Sequence, residues 1–214
     1  MKKFILTGML VLFVVATVSI VSYAQPRQRK MQDKKAGPHA SFKLQITMRK
    51  LWEDHITYTR NYIISAVADL DDASEVTQRL LRNQDDIGDA IKPIYGEESG
   101  KKLTALLRDH ILITTEFVRA NKMGKSEEIE KANKKWYASA DDIAVFLKSI
   151  NPNWSREVLE EMLHKHLEFT NHQIMARIKK DWVADIDAYD KDHEHMLMFA
   201  DTLADVTAPG KFKE

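Results

Sequence analysis

Imidazole is the side chain in this sequence best suited to chemistry, because it titrates near neutrality and is the commonest side-chain nitrogen ligand for metals. The chain has eight histidines, and three recur in one frame. Residues 51–60 (LWEDHITYTR), 106–115 (LLRDHILITT) and 162–171 (MLHKHLEFTN) each carry an apolar pair, two polar residues, a His, an apolar residue and, four after the His, a Thr. The repeated histidines, His55, His110 and His166, stand 55 and 56 residues apart, a period that suggests a repeated helical hairpin. A fourth, His193, falls on an apolar stripe of its own.

Spacings of i, i+3, i+4 and i+7 among apolar residues place each of these histidines on a long amphipathic helix. Helix A covers about 41–70, with His55 among Leu51, Trp52, Thr59 and Tyr62. Helix B covers about 75–92, with Asn83 inside and Asp86 a quarter-turn to the side. Helix C covers about 97–122 around His110, and helix D runs from Ser126, a natural N-cap, to about 150. Helix E covers about 156–180 around His166, with Ser155 as its cap. Helix F runs from the cap Asp181 to about 205 along Trp182, Ile186, Tyr189, His193 and Met196, although no Gly or Pro marks the E/F break. The expected fold is all-α: an antiparallel six-helix bundle of three hairpins, A/B, C/D and E/F, in one domain over 41–206.

Counting from the turns at about 1.5 Å per residue sets the heights. His166 lies level with His193, His55 with Asn83 and Asp86, and His110 with Ala140 and Asp142. One layer of the core is therefore expected to hold four imidazoles, with Asp86, Asp142 and Asp190 at its margin. Burying imidazoles among aliphatics is unfavourable unless each ring finds partners. Two explanations stand. The rings converge on a divalent metal (Zn, Mn, Fe or Cu) with help from the carboxylates, or each ring bonds locally to the Thr four residues on or to an Asp. Thr59, Thr114 and Thr170 either orient their rings or bond back to the helix carbonyl four residues earlier, and the second is favoured. A metal oxidoreductase would further require a redox-active ion and an open coordination position.

Other patterns carry less. Glu161-x-x-His164 lies off the apolar stripe and reads as a solvated pair, while Asp190-x-x-His193 is better placed. No Gly-rich phosphate loop or nucleophile elbow is present, so neither nucleotide nor flavin is expected and no catalytic residue emerges. The absence of cysteine excludes disulfides, thiol catalysis and thiolate ligands. Thirty-two basic and 32 acidic residues, dispersed along the chain, argue against nucleic acid as a partner. Residues 1–24, with a basic start, an apolar run over 4–21 and Ser22-Tyr23-Ala24 before Gln25, form an export signal that is either cleaved or retained as an anchor. Residues 25–40 form a flexible linker and 207–214 a frayed tail. The bundle is then extracytoplasmic (periplasmic, secreted or tethered), touches the membrane only through an uncleaved N-terminal segment, and has a protein or small molecule as its partner.

Trp52-Glu53-Asp54-His55, residues 83–96 (NQDDIGDAIKPIYG), Asn151-Pro152-Asn153-Trp154 and residues 181–201 (DWVADIDAYDKDHEHMLMFAD) together resemble a group of small exported bacterial all-helical proteins of unestablished function. Members sometimes carry glycosyltransferase or acetylglutamate kinase labels, which the lack of nucleotide-binding loops does not support. The resemblance spans the bundle and implies export and helicity without naming a catalytic residue. Where members often show Gly before the Asp-Trp pair, this chain has Lys180. The functional expectation is an exported bundle with a His/Asp metal site in its core; the alternative is a metal-free extracytoplasmic interaction or scaffold module.

Overall fold

The structure, a computed structural model, describes residues 38–205. They form six helices: α1 (Pro38–Val67), α2 (Ala73–Tyr95), α3 (Glu97–Met123), α4 (Ser126–Ile150), α5 (Arg156–Lys179) and α6 (Trp182–Ala204). No strand occurs among the described residues. The fold is the expected all-α bundle. The expected export signal, most of the expected linker and the C-terminal tail lie outside the described residues, and α1 starts at Pro38, three residues before its expected first residue.

Local chemistry sets the boundaries. Ser155 caps α5 by accepting from Val158 N at 3.3 Å, and Asp181 caps α6 by accepting from Ala184 N at 3.1 Å. Ser126 is instead the first helical residue of α4, and the capping position falls on Lys125, which makes no side-chain cap. Pro93 does not end α2. It occupies the last turn, and the helix closes at Gly96, whose φ of 89° only glycine adopts freely. At the unmarked α5/α6 break, Lys180 takes the left-handed conformation (φ 61°), to which glycine is better suited.

Each helix packs on its sequence neighbour, α6 closes the ring against α1, and α1, α3 and α5 meet across the middle. The three histidine-bearing helices of the repeat are thus the ones that touch at the centre. Packing is tightest where α2 crosses α3: a Cβ on Gly88 would lie 2.7 Å from the carbonyl oxygen of Gly100, so larger residues would push the helices apart. Trp136, Phe117, Phe199, Ile87 and Leu147 are among the large side chains filling the core. Among the described residues, no helix is long and apolar enough to cross a membrane.

Candidate functional site

His55, His110 and His166 are all buried, as their place on the apolar faces of α1, α3 and α5 demands. The His55 and His166 rings lie 5.5 Å apart between centroids. Burial, followed by the neighbouring His166 and His110, holds His55 well below the usual imidazole range. Burial and then His166 lower His110 to about 3. Both are therefore neutral at physiological pH.

Each of the three rings is engaged through the same nitrogen. His166 Nδ1 lies 2.7 Å from Asp192 Oδ1; a carboxylate only accepts, so Nδ1 carries the proton there and donates. Asp192 is fully buried and also accepts from Thr170 Oγ1 at 3.2 Å and Gln173 Nε2 at 3.1 Å. His110 Nδ1 lies 2.8 Å from Ser139 Oγ, whose own proton goes to the Trp136 carbonyl at 2.7 Å. Ser139 consequently accepts from His110 Nδ1–H. In neutral rings these bonds leave the lone pair on Nε2 of both His110 and His166. His55 differs. Its Nδ1 faces the Gln84 amide nitrogen at 3.3 Å, a shared third contact, because that nitrogen's two N–H groups have nearer acceptors in the Leu80 carbonyl at 2.8 Å and Asn83 Oδ1 at 3.1 Å, and an amide nitrogen does not itself accept. His55 Nδ1 is therefore the acceptor, and its proton sits on Nε2.

Further polar atoms around these rings are buried without a partner: Trp52 Nε1, Thr59 Oγ1, Gln84 Oε1 and Trp136 Nε1. Trp52 packs edge-on to His55 at 5.2 Å and Trp136 stacks near His110 at 6.2 Å. Buried polar atoms without a partner call for an explanation, and Arg79 Nη1 and Trp154 Nε1 share that condition.

The remaining expected ligands are elsewhere. His193 is 29% exposed at its side chain, lies 3.7 Å from Glu53 Oε1 and rests against Tyr189, so it does not join the layer. Asp86, Asp142 and Asp190 are exposed. The heights were right and the facing wrong: α6 buries Asp185, Ala188, Asp192, Met196 and Phe199, a face turned one residue away from the Trp182, Ile186, Tyr189, His193 stripe. Trp182 and Ile186 are correspondingly exposed. Asp192 replaces Asp190, and Ser139 stands where Asp142 was expected. The repeated threonines diverge as well. Thr114 bonds back to the His110 carbonyl at 2.8 Å, Thr170 orients Asp192, and Thr59 has no partner. Sequence reasoning missed Gln84, Ser139, Gln173 and Asp192; the signal for Asp192 was its spacing of seven from Asp185 and four from Met196, which a hydrophobic stripe passes over.

No family model matches this chain, and neither a curated protein nor a solved structure does. Among the described residues, no three His, Asp or Glu side chains are grouped as a ready-made metal cage. The site's chemistry must therefore be argued from its hydrogen bonds.

Proposed function

We propose that this protein is an exported helical bundle whose core binds a divalent transition metal through Nε2 of His55, His110 and His166. The observation that carries the reading is the shared engagement of Nδ1. Metal-binding histidines characteristically donate their second nitrogen to a carboxylate, carbonyl or hydroxyl that fixes the ring, and Asp192 and Ser139 serve His166 and His110 in this way. Two rings thus offer unprotonated Nε2 without rearrangement. His55 joins them only if Gln84 and Asn83 rearrange together so that Gln84 Oε1 accepts from Nδ1–H, because turning the Gln84 amide alone would set Oε1 against the Leu80 carbonyl and Asn83 Oδ1, which its nitrogen now serves. Nitrogen donors without thiolates suit Zn, Mn, Fe(II) or Cu(II). The export signal supports an extracytoplasmic location, and the resemblance to exported helical proteins agrees with it.

A second reading, a metal-free interaction or scaffold module, is favoured by one observation: the amide nitrogen, not the oxygen, of Gln84 faces His55. The three rings then carry one N–H and two lone pairs on Nε2, a set that hydrogen bonds can satisfy without a metal.

Thermal melts and metal analysis of protein purified without a His-tag separate the two. Metal bound to the native state alone at 100 times its Kd stabilises by about 2.7 kcal/mol. His55→Ala, His110→Ala and His166→Ala should each abolish the metal-induced rise in Tm, while His193→Ala, His164→Ala and His172→Ala keep it. No bound metal and no rise with Zn, Mn, Fe or Cu establishes the second reading.

A further inference from the structure

A groove of about 780 Å³ lies on the other side of α3, between the end of α1 and the first turns of α4. Its volume is in the range of small-molecule sites, roughly 300–1,000 Å³. Its wall is rich in charge, and the pairing is uneven. Asp69 is taken by Lys122, Glu116 by Lys135 at 3.1 Å, and Glu128 by Lys125 at 2.9 Å. Lys122 is further anchored by the Ala66 carbonyl at 2.8 Å. Every acid of the groove is thus matched, whereas Arg119 and Lys131 have no ion pair among the described residues. The lining carries four basic and three acidic side chains, an excess of one positive charge on a concave surface.

At the buried edge of the groove stands Tyr62, 8% exposed. Burial raises its pKa, against the smaller opposing influence of Thr115 and Arg119. The phenol therefore keeps its proton, and its hydrogen-bond partner is Thr115, whose own hydroxyl donates to the Leu112 carbonyl at 2.8 Å. Beside Arg119 and Lys131 the wall is made of small apolar side chains, Ala66, Val118 and Ala132. A guanidinium and an ammonium next to an apolar wall match one chemistry: an oxyanion head on a compact apolar body.

We propose that this groove binds a small organic anion, with a carboxylate or phosphate held by Arg119 and Lys131 and the apolar part against Ala66 and Ala132. The site is independent of the imidazole layer. Arg119 and Lys131 are exposed, so their substitution leaves the fold intact.

The test is calorimetric and NMR titration of the full chain with phenyl phosphate and benzoate, with benzyl alcohol as the neutral match. Saturable binding of at least one anion, weaker for benzyl alcohol and reduced roughly tenfold by Arg119→Gln and by Lys131→Gln, supports the proposal. Lys134→Gln, outside the groove, should leave binding unchanged. A third arm with glycerol 3-phosphate identifies the source: tighter binding than phenyl phosphate points to a lipid headgroup, weaker binding to a free aryl or alkyl anion. Absence of saturation by all three anions, equal binding of benzyl alcohol, or indifference to both substitutions would overturn it.

Discussion

Two carboxylates on α6, seven residues apart, are both buried, yet they are closed in opposite ways. Asp185 receives Arg60 through both oxygens at 3.0 Å and Arg177 at 3.0 Å, and the guanidiniums lie over the Tyr189 and Trp182 rings. Asp192 receives an imidazole N–H, a hydroxyl and an amide, none a fixed cation. At Asp185 the polar chain ends in two saturated cations that tie α1, α5 and α6 together. At Asp192 it continues to His166, whose ring lies 5.5 Å from that of His55. A carboxylate between permanent charges is a structural clasp, whereas one between neutral donors orients an imidazole.

The largest effect should come from opening the clasp. Asp185→Ala leaves two guanidiniums facing each other, and breaking a buried pair costs about 3–5 kcal/mol. With Arg60 and Arg177 18% and 21% exposed, solvent screening reduces this to about 3 kcal/mol in urea denaturation. The same variant should leave the metal-induced rise in Tm untouched. Its loss would erase the distinction between the two carboxylates.

Next in size is a pH effect carried by His55 and His110 of the imidazole layer, to which His195, also lowered by burial, adds in the same direction. His55 and His110 have folded pKa values below the unfolded value of about 6.5, so between the two the unfolded chain binds more protons. Their contribution is fully present above about pH 6.5 and is lost as pH falls toward the folded values. For His110, with a folded value of about 3, the loss at pH 5 is roughly 2 kcal/mol. Urea unfolding of the metal-free protein between pH 8 and 5 should show this decline. His110→Gln should make it shallower, and a slope unchanged in that variant would place the titration elsewhere.

Much of this was legible in sequence, and the failures have one physical origin. The period of His55, His110 and His166 located the three helices that meet at the centre, and the Ser155 and Asp181 caps fixed α5 and α6. Height is a count of residues, so His166 was set against the right turn of α6. Facing was inferred from hydrophobicity, and α6 violates that rule by burying Asp185 and Asp192 while exposing Trp182, Val183 and Ile186. A buried carboxylate is stabilised by partners on other helices, Arg60 and His166 among them, which no single-helix pattern contains. Gln84 escaped notice similarly, because its role depends on His55 approaching from α1.

Asp192→Asn should come third, at about 1–2 kcal/mol, because the amide keeps an acceptor for Thr170 or Gln173 but loses the full carboxylate. It turns a donor toward His166 Nδ1 and so favours the wrong tautomer. Metal affinity should fall by roughly 10–100-fold, read from the midpoint of a metal titration. An unchanged midpoint would make Asp192 a second clasp.

The smallest contrast lies within the repeat. Thr170→Val removes a donor from fully buried Asp192 and should cost about 1 kcal/mol, with a modest weakening of metal binding through His166. Thr114→Val removes only a bond to its own helix, to the His110 carbonyl, and that carbonyl still serves the helix ladder. Its cost should be close to zero, because a Thr that bonds back gains little over an isosteric aliphatic. Paired urea melts of the two variants measure the difference directly. Equal costs would mean that the Thr four residues after each His has one shared structural role, and that the hydrogen bond to Asp192 adds nothing to the site.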